Sequence, residues 1–290
     1  MTNNILEITN LNKSYSNFSI NNINLAIKEK DVLGIIGPNG AGKSTLIKSI
    51  LNIIKIDSGT IKFKNKDIKN QDDKFKMLIG YVGDTSKFYN DIKLNNIYKF
   101  VKDSYKDKWD DEYFHTLISN KFNLDLQKTP KELSTGMLVK FIIALALAHK
   151  CELLILDEPT SGLDPIIREE LLNILYDLNK HNNVTILMSS HILDDIESIC
   201  NRIIFIDSGN ILLDIRKDDI KTTFAKISKE DLPQDKVNLF KQFSIENKNN
   251  FLFSIDSLNM YIKNRDDLLP YFTEMTLNEI LILLRKQVIV

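Results

Sequence analysis

The chain of 290 residues carries 38 basic and 39 acidic side chains, a formal charge of −1, with 43% hydrophobic and 27% charged residues. That balance excludes a polycation held on nucleic acid by phosphate neutralisation and an acidic disordered tail, and the length admits one large domain or two smaller ones. Glycine is scarce, 10 residues in all, against the roughly 7% usual in soluble proteins.

From the N-terminus, residues 5–9 and 18–27 alternate apolar and polar side chains, predicting a small antiparallel layer, and residues 32–36 form a short apolar run read as a buried strand. Apolar runs recur at 78–82, 153–156, 184–188 and 203–206, separated by helical spacing such as 166–178. Short buried strands alternating with helices predict a parallel α/β sheet. Residues 86–148 read as a helical insertion, with Trp109, Tyr113, Phe114, Leu117 and Ile118 on spacings of three and four. Beyond Ile215 the character changes to charged stretches with β-like segments at 224–228 and 251–255 and a final amphipathic segment at 277–285. Residues 216–290 are therefore expected as an α+β accessory region distinct from a main domain over 1–215.

No apolar stretch approaches the roughly 18–20 residues that a bilayer helix requires. The segment from Met1 to Asn10 lacks a basic region followed by an apolar run, so no secretory signal is expected. Cys151 and Cys200 are too few for a disulfide framework and read as free thiols in a reducing cytosol. Five scattered arginines leave little capacity for bidentate phosphate reading, and no nucleic-acid partner is expected.

The chemistry begins at Gly37, Pro38, Asn39, Gly40, Ala41, Gly42, Lys43 and Ser44, which fit G-x-x-x-x-G-K-[ST] between the strand at 32–36 and a helix opening at Thr45. Glycines let the backbone wrap a polyphosphate so that successive N–H groups and the helix N-terminus face its oxygens. Lys43 would reach the β- and γ-phosphates, and Ser44 would ligate Mg²⁺. The run at 153–156 ends in Asp157 and Glu158, two carboxylates at the carboxyl end of a buried strand, where α/β sheets bind ligands. Asp157 suits Mg²⁺, directly or through water, and Glu158 suits polarisation of the attacking water.

Leu133-Ser134-Thr135-Gly136-Met137, ahead of Asp157, resembles the LSGGQ signature of ATP-binding cassette (ABC) ATPases. Ser161-Gly162-Leu163-Asp164 is similar to the D-loop of that family, His191 to its switch histidine, and Tyr15 to the aromatic that stacks on adenine. The resemblance covers about residues 4–215. It implies a P-loop fold of the ABC type, with ATP and Mg²⁺ as ligands and Glu158 and His191 as catalytic residues. Two copies would join head to tail, identical or paralogous, each closing the other's ATP with Ser134, Gly136 and the Asp164 loop. It also implies an integral-membrane permease, which would hold the chain at the cytoplasmic face of the cell membrane and insert a coupling helix beside Phe88, Tyr89, Ile92 and Leu94.

Several residues depart from the family pattern. Gly83-Asp84 stands where Pro-Gln is usual, so Asp84 is either a direct Mg²⁺ ligand or turned away with slow catalysis. Thr135 and Met137 replace glycine and glutamine, and Lys30 occupies a turn position where glycine is usual, a strain of about 1 kcal/mol if that turn needs a positive φ. These variants, with the segment Met275-Thr276-Leu277-Asn278-Glu279-Ile280, resemble the ATPase subunits of two-component exporters of peptides, antibiotics and related amphiphiles. Length and Lys/Asn/Ile-rich character further resemble the subunits serving exporters of phenol-soluble modulins. The alternatives are a soluble ABC-type ATPase and a poorly hydrolysing nucleotide-dependent regulator. A ribosome-acting member would carry two cassettes and a chromosome-structuring one a long coiled coil between Lys43 and Ser134; neither is present.

Overall fold

In the computed structural model, which describes residues 4–70, 74–83, 90–232, 234–262 and 268–288, the chain divides into two units, Met1–Ile211 and Leu212–Val290. The first unit opens with strands β1 (Asn4–Ser14) and β2 (Ser19–Lys28), followed by β3 (Val32–Ile36) and helix α1 (Lys43–Ile50). Next come β4 (Ser58–Phe63), the two-residue β5 (Lys66–Asp67) and β6 (Ile79–Val82). Helices α2 (Leu94–Tyr105), α3 (Asp111–Thr116) and α4 (Thr135–Ala148) precede β7 (Leu153–Asp157). Then α5 (Pro165–Asn182), β8 (Thr185–Ser190), α6 (Leu193–Ile199) and β9 (Arg202–Asp207) follow, and β10 (Asn210–Arg216) runs across the boundary between the units.

Two sheets result. One has the order β2-β1-β4-β5, the other β10-β9-β3-β8-β7-β6. In the second sheet β3 pairs in parallel with β8 and β9, and β7 with β6 and β8. All five residues of β3 and all six of β8 are buried, which is why these strands read as continuous apolar runs. The antiparallel layer was legible from its alternation at β1 and β2, although the pairing is bulged, with register shifts either side of Leu11 and Asn10 at φ 49°. The strands β4 and β5 escaped the sequence reading, because the exposed Ser58 and Lys62 of β4 dilute its apolar signal. Lys30 adopts φ 68° in the turn before β3, so that turn does take the left-handed conformation. Its backbone is held from both sides, with its N–H donating to Thr185 Oγ1 at 3.0 Å and its carbonyl accepting from Asn179 Nδ2 at 2.9 Å.

Among the helices, α2, α3 and α4 pack aromatic side chains against one another. Tyr98 stacks on Phe114 at 4.6 Å between ring centroids, and Phe114 meets Phe141 edge-on. Leu94, expected to line a groove, is fully buried, whereas Ile92 is exposed; Phe88, Tyr89 and Asp84 lie outside the described residues. Thr135 shows no strain where glycine is usual, since it is the first residue of α4 with ordinary helical geometry. Both cysteines are buried and neither is in a disulfide, and burial pushes the Cys151 thiol up to about 12.

The second unit contains α7 (Ile220–Thr223), β11 (Phe224–Ser228), α8 (Val237–Phe243), β12 (Ile245–Asn247), β13 (Asn250–Ser254), α9 (Ile255–Tyr261) and α10 (Leu277–Val288). Its sheet runs β11-β13-β12, antiparallel throughout, around a phenylalanine-rich core of Phe240, Phe243, Phe251 and Phe253. The second β-like segment ends one residue earlier than expected because Ser254 caps α9, its Oγ accepting from Ser257 N at 3.1 Å. A capping box opens α10: Thr276 N donates to Glu279 Oε2 at 2.8 Å and Glu279 N to Thr276 Oγ1 at 3.2 Å.

Candidate nucleotide site

The register of the parallel sheet places the site. Ile36 pairs with Ser190, and Asp157 with Ser189, so β3, β7 and β8 end together. The loops leaving them carry Gly37–Gly42, Glu158 and His191 to one edge of the sheet, outside its carboxyl ends. A cleft of about 610 Å³ opens there, lined by Asn17, Phe18, Pro38 to Thr45, Glu158, Ser161 and His191. It shares Asn17, Phe18 and Pro38 to Ala41 with a second concavity of about 680 Å³ that extends to Tyr15, Asp207 and Ser208.

Gly42 sits at the N-cap of α1 with φ 115°. A side chain is unfavourable at that angle, and an added Cβ would also lie 2.7 Å from Ile20 Cγ2. The first turn of α1 therefore presents its backbone N–H groups and the positive end of its dipole to the cleft. Lys43 is buried, and its ammonium donates to the carbonyls of Gly37 and Pro38 at 2.8 and 3.3 Å. Ser44 and Thr45 line the cleft beside it.

Glu158 forms the other wall. Its carboxylate lies 3.2 Å from Lys43 Nζ through Oε1 and 2.5 Å from His191 Nδ1 through Oε2. Its backbone has φ 55°, uncommon for glutamate, and is held there by bonds from its N–H to Ser189 O and Oγ at 3.2 and 3.0 Å. Ser189 Oγ donates in turn to Asp157 Oδ1 at 2.6 Å. Ser44 and Asp157 offer hard oxygen donors, the kind Mg²⁺ takes in ones and twos beside phosphate and water. Among the described residues no three His, Cys, Asp or Glu groups gather into a metal cage.

Tyr15 is half exposed beside the phosphate loop, its ring under the Lys13 ammonium at 5.3 Å. Lys13 and the Ser14 N–H both donate to Asp57, and those two bonds, the backbone one foremost, hold its carboxyl below the usual carboxylate range. Three expected site residues lie elsewhere. Ser134 and Gly136 stand at the N-terminus of α4, and Ser134 Oγ accepts from Met137 N at 3.3 Å. Asp164 caps α5, its Oδ1 accepting from the N–H groups of Ile166 and Ile167 at 3.1 Å. None of the three lines the cleft formed by the chain's own phosphate loop.

The sequence reading missed Ser189, Thr160, Arg168 and Asp195. Asp195 is wholly buried, accepting from Thr160 Oγ1 at 2.5 Å and from Arg168 Nε. Its only signal was position, four residues after His191, and it was masked by Asp194 and Glu197, which make the segment look like an acidic first turn of helix.

A parallel sheet with a glycine-rich phosphate loop between its central strand and first helix, and two carboxylates ending a neighbouring strand, defines a P-loop nucleotide-binding protein. Residues 20–161 match the family model described as ABC transporter. Over 224 residues the chain is 32% identical to the ABC transporter ATP-binding protein YtrB of Bacillus subtilis (strain 168), covering 77% of this chain and 76% of that one. The chain therefore belongs to the ATP-binding subunits of ABC transporters, which are ATPases. It is also 34% identical to the bacitracin transport ATP-binding protein BcrA of Bacillus licheniformis, over 75% of this chain and 71% of the relative. With the lantibiotic transport ATP-binding protein SrtF of Streptococcus pyogenes it shares 37% identity over 72% of this chain and 90% of the relative. Among solved structures, cbiO1 from Clostridium perfringens, part of the ABC transporter complex cbiONQ, superposes with a TM-score of 0.65 at 28% identity, over 75% of this chain and 90% of that one.

Proposed function

We propose that this subunit hydrolyses Mg²⁺-ATP to drive a separate permease that exports peptides or related amphiphiles. The observation that carries the catalytic part is the meeting of Lys43, Glu158 and His191 at the mouth of the phosphate loop. The backbone of Gly40 to Thr45 and the start of α1 cradle the phosphates, and Lys43 takes the β- and γ-oxygens. Ser44 and Asp157 would hold Mg²⁺, which neutralises charge on those oxygens. Glu158 accepts the proton side of the attacking water while His191, hydrogen-bonded to the same carboxylate, holds its orientation. Tyr15 supplies a stacking face for adenine.

A head-to-tail pair of subunits accounts for the residues that stand away from the cleft. Ser134 is exposed at the N-terminus of the 14-residue helix α4, an anion-binding end that stands away from the chain's own phosphate-loop cleft. A second subunit's ATP fits that role, with Gly136 and the Asp164 loop beside it.

Docking on a permease is supported by an apolar cavity of about 330 Å³ on the same unit, lined by Leu51, Ile53, Tyr81, Tyr105, Ile142 and Leu145 among others. Among the described residues no helix is long and apolar enough to cross a membrane, so a membrane role requires such a partner. That partner would hold the subunit at the cytoplasmic face. The cargo class rests on the bacitracin and lantibiotic transport relatives. The test is phosphate release from the subunit reconstituted in lipid with its partner permease. Wild type should run at least about a hundredfold faster than Glu158→Gln; equal rates would overturn the reading.

A further inference from the structure

We infer that Asp195 is a positioning residue for hydrolysis, clamping together the two loops that carry Glu158 and His191; this rests on the roles proposed for those two residues. Asp195 is fully buried on α6. An unpaired carboxylate there would cost several kcal/mol, so its bonds decide the local structure. They reach three separate segments. Oδ2 accepts from Thr160 Oγ1 at 2.5 Å, and Thr160 lies two residues beyond Glu158 in the loop leaving β7. The same oxygen accepts from Ser190 Oγ at 3.4 Å, and Ser190 directly precedes His191 at the end of β8. Oδ1 takes the charged Arg168 Nε from the first turns of α5.

The serine completes the clamp. Ser190 Oγ also accepts from Ile192 N at 3.0 Å, so the turn carrying His191 folds around a hydroxyl that leans on Asp195. Across this arrangement the Glu158 carboxylate meets both the Nδ1 and the backbone N–H of His191, at 2.5 and 3.3 Å. Neither the glutamate nor the histidine is buried; His191 is exposed, and an exposed ion pair holds its own geometry weakly. The rigidity comes from beneath, through a buried charge whose partners are all satisfied. None of its bonds touches the phosphate loop.

That placement predicts a separation of effects. Asp195→Asn and Thr160→Val should lower kcat for Mg²⁺-ATP by about tenfold or more while leaving KM within about twofold, because nucleotide contacts are untouched. Asp195→Glu, which retains the charge, should recover part of the loss. The decisive measurement is a double-mutant cycle with the full-length chain, read by single-turnover phosphate release. In a His191→Ala background, Thr160→Val and Asp195→Asn should cost a smaller fold loss than in wild type, since one of the two residues they position is gone. The same fold loss in both backgrounds, or a rise in KM with kcat unchanged, would overturn the inference. Thr160→Val removes one hydroxyl and no charge, so it serves where Asp195→Asn fails to fold. If Glu158→Gln hydrolyses as fast as wild type, the catalytic reading itself falls; if Glu158→Gln is inactive but the cycle is additive, only the role of Asp195 falls.

Discussion

The carboxylate of Glu158 lies 3.2 Å from the ammonium of Lys43, the group that must turn to phosphate when nucleotide binds. The two charges satisfy each other in the cleft, and an entering γ-phosphate competes with Glu158 for the same cation. Glu158→Gln removes that competitor and the repulsion between carboxylate and phosphate. We expect it to bind ATP as tightly as wild type or more so while losing about a hundredfold or more in kcat, read by fluorescent-nucleotide titration and phosphate release. Weaker ATP binding in this variant would contradict the competition.

Tyr15 presents an exposed face at the end of the cleft with Lys13 on its ring. Base stacking on an aromatic contributes about 1–3 kcal/mol, so Tyr15→Ala should raise the Kd for ATP by about fivefold to a hundredfold, and Tyr15→Trp should retain affinity. Titration with inorganic triphosphate is the control, because it lacks a base and should bind both variants alike.

These contacts divide by how they could be read from sequence. The phosphate loop, Asp157 and Glu158 were legible because spacing alone carries their chemistry: a loop must wrap phosphates where glycine permits, after a strand whose five residues are all buried. The strands β3 and β7 were legible for the same reason of uninterrupted burial. The clamp around Asp195 was not, since Thr160, Arg168 and Ser190 meet it only through the register of β7 beside β8 and the packing of α5 against α6, which no local pattern encodes. The start of α2 misled in one place, since Leu94 is wholly buried where its neighbours suggested a surface groove.

His149 gives a pH signature. It is buried between α4 and β6, stacked on Tyr105 at 4.0 Å, with its ring nitrogens 3.2 and 3.3 Å from the carbonyls of Leu145 and Ile79. Burial lowers its pKa, against the pull of the two carbonyls. The folded chain thus binds the proton less readily than the unfolded chain, whose histidine titrates near about 6.5. Its contribution to stability is complete above that value and is lost as pH falls through the lowered folded pKa. Thermal melting of wild type should fall more steeply than that of His149→Gln on acidification below about pH 6.5. Parallel slopes would assign the acid sensitivity to other groups.

Gly136 packs closely on α5, where an added Cβ would lie 2.3 Å from Ile167 Cγ2. Gly136→Ala must displace that isoleucine side chain at the end of α4 expected to face a second subunit's ATP. ATP affinity of the isolated subunit should stay within about twofold, while ATP-dependent dimerisation and kcat fall by about tenfold or more. Sedimentation with ATP in the Glu158→Gln background reads the first effect, and a dimer population equal to that of Glu158→Gln alone would show that the contact is irrelevant to association.

The two cysteines bear on how such assemblies can be followed. Cys151 and Cys200 are both buried, and the Cys151 thiol, raised to about 12, is almost entirely protonated at neutral pH. Thiolate is the species that maleimides and spin labels capture. The native chain is therefore nearly silent to thiol-directed probes without any cysteine having to be removed. A cysteine introduced at an exposed position outside the cleft, such as Lys62, would take label selectively, so distances across an ATP-closed pair could be recorded in a background that retains its natural core.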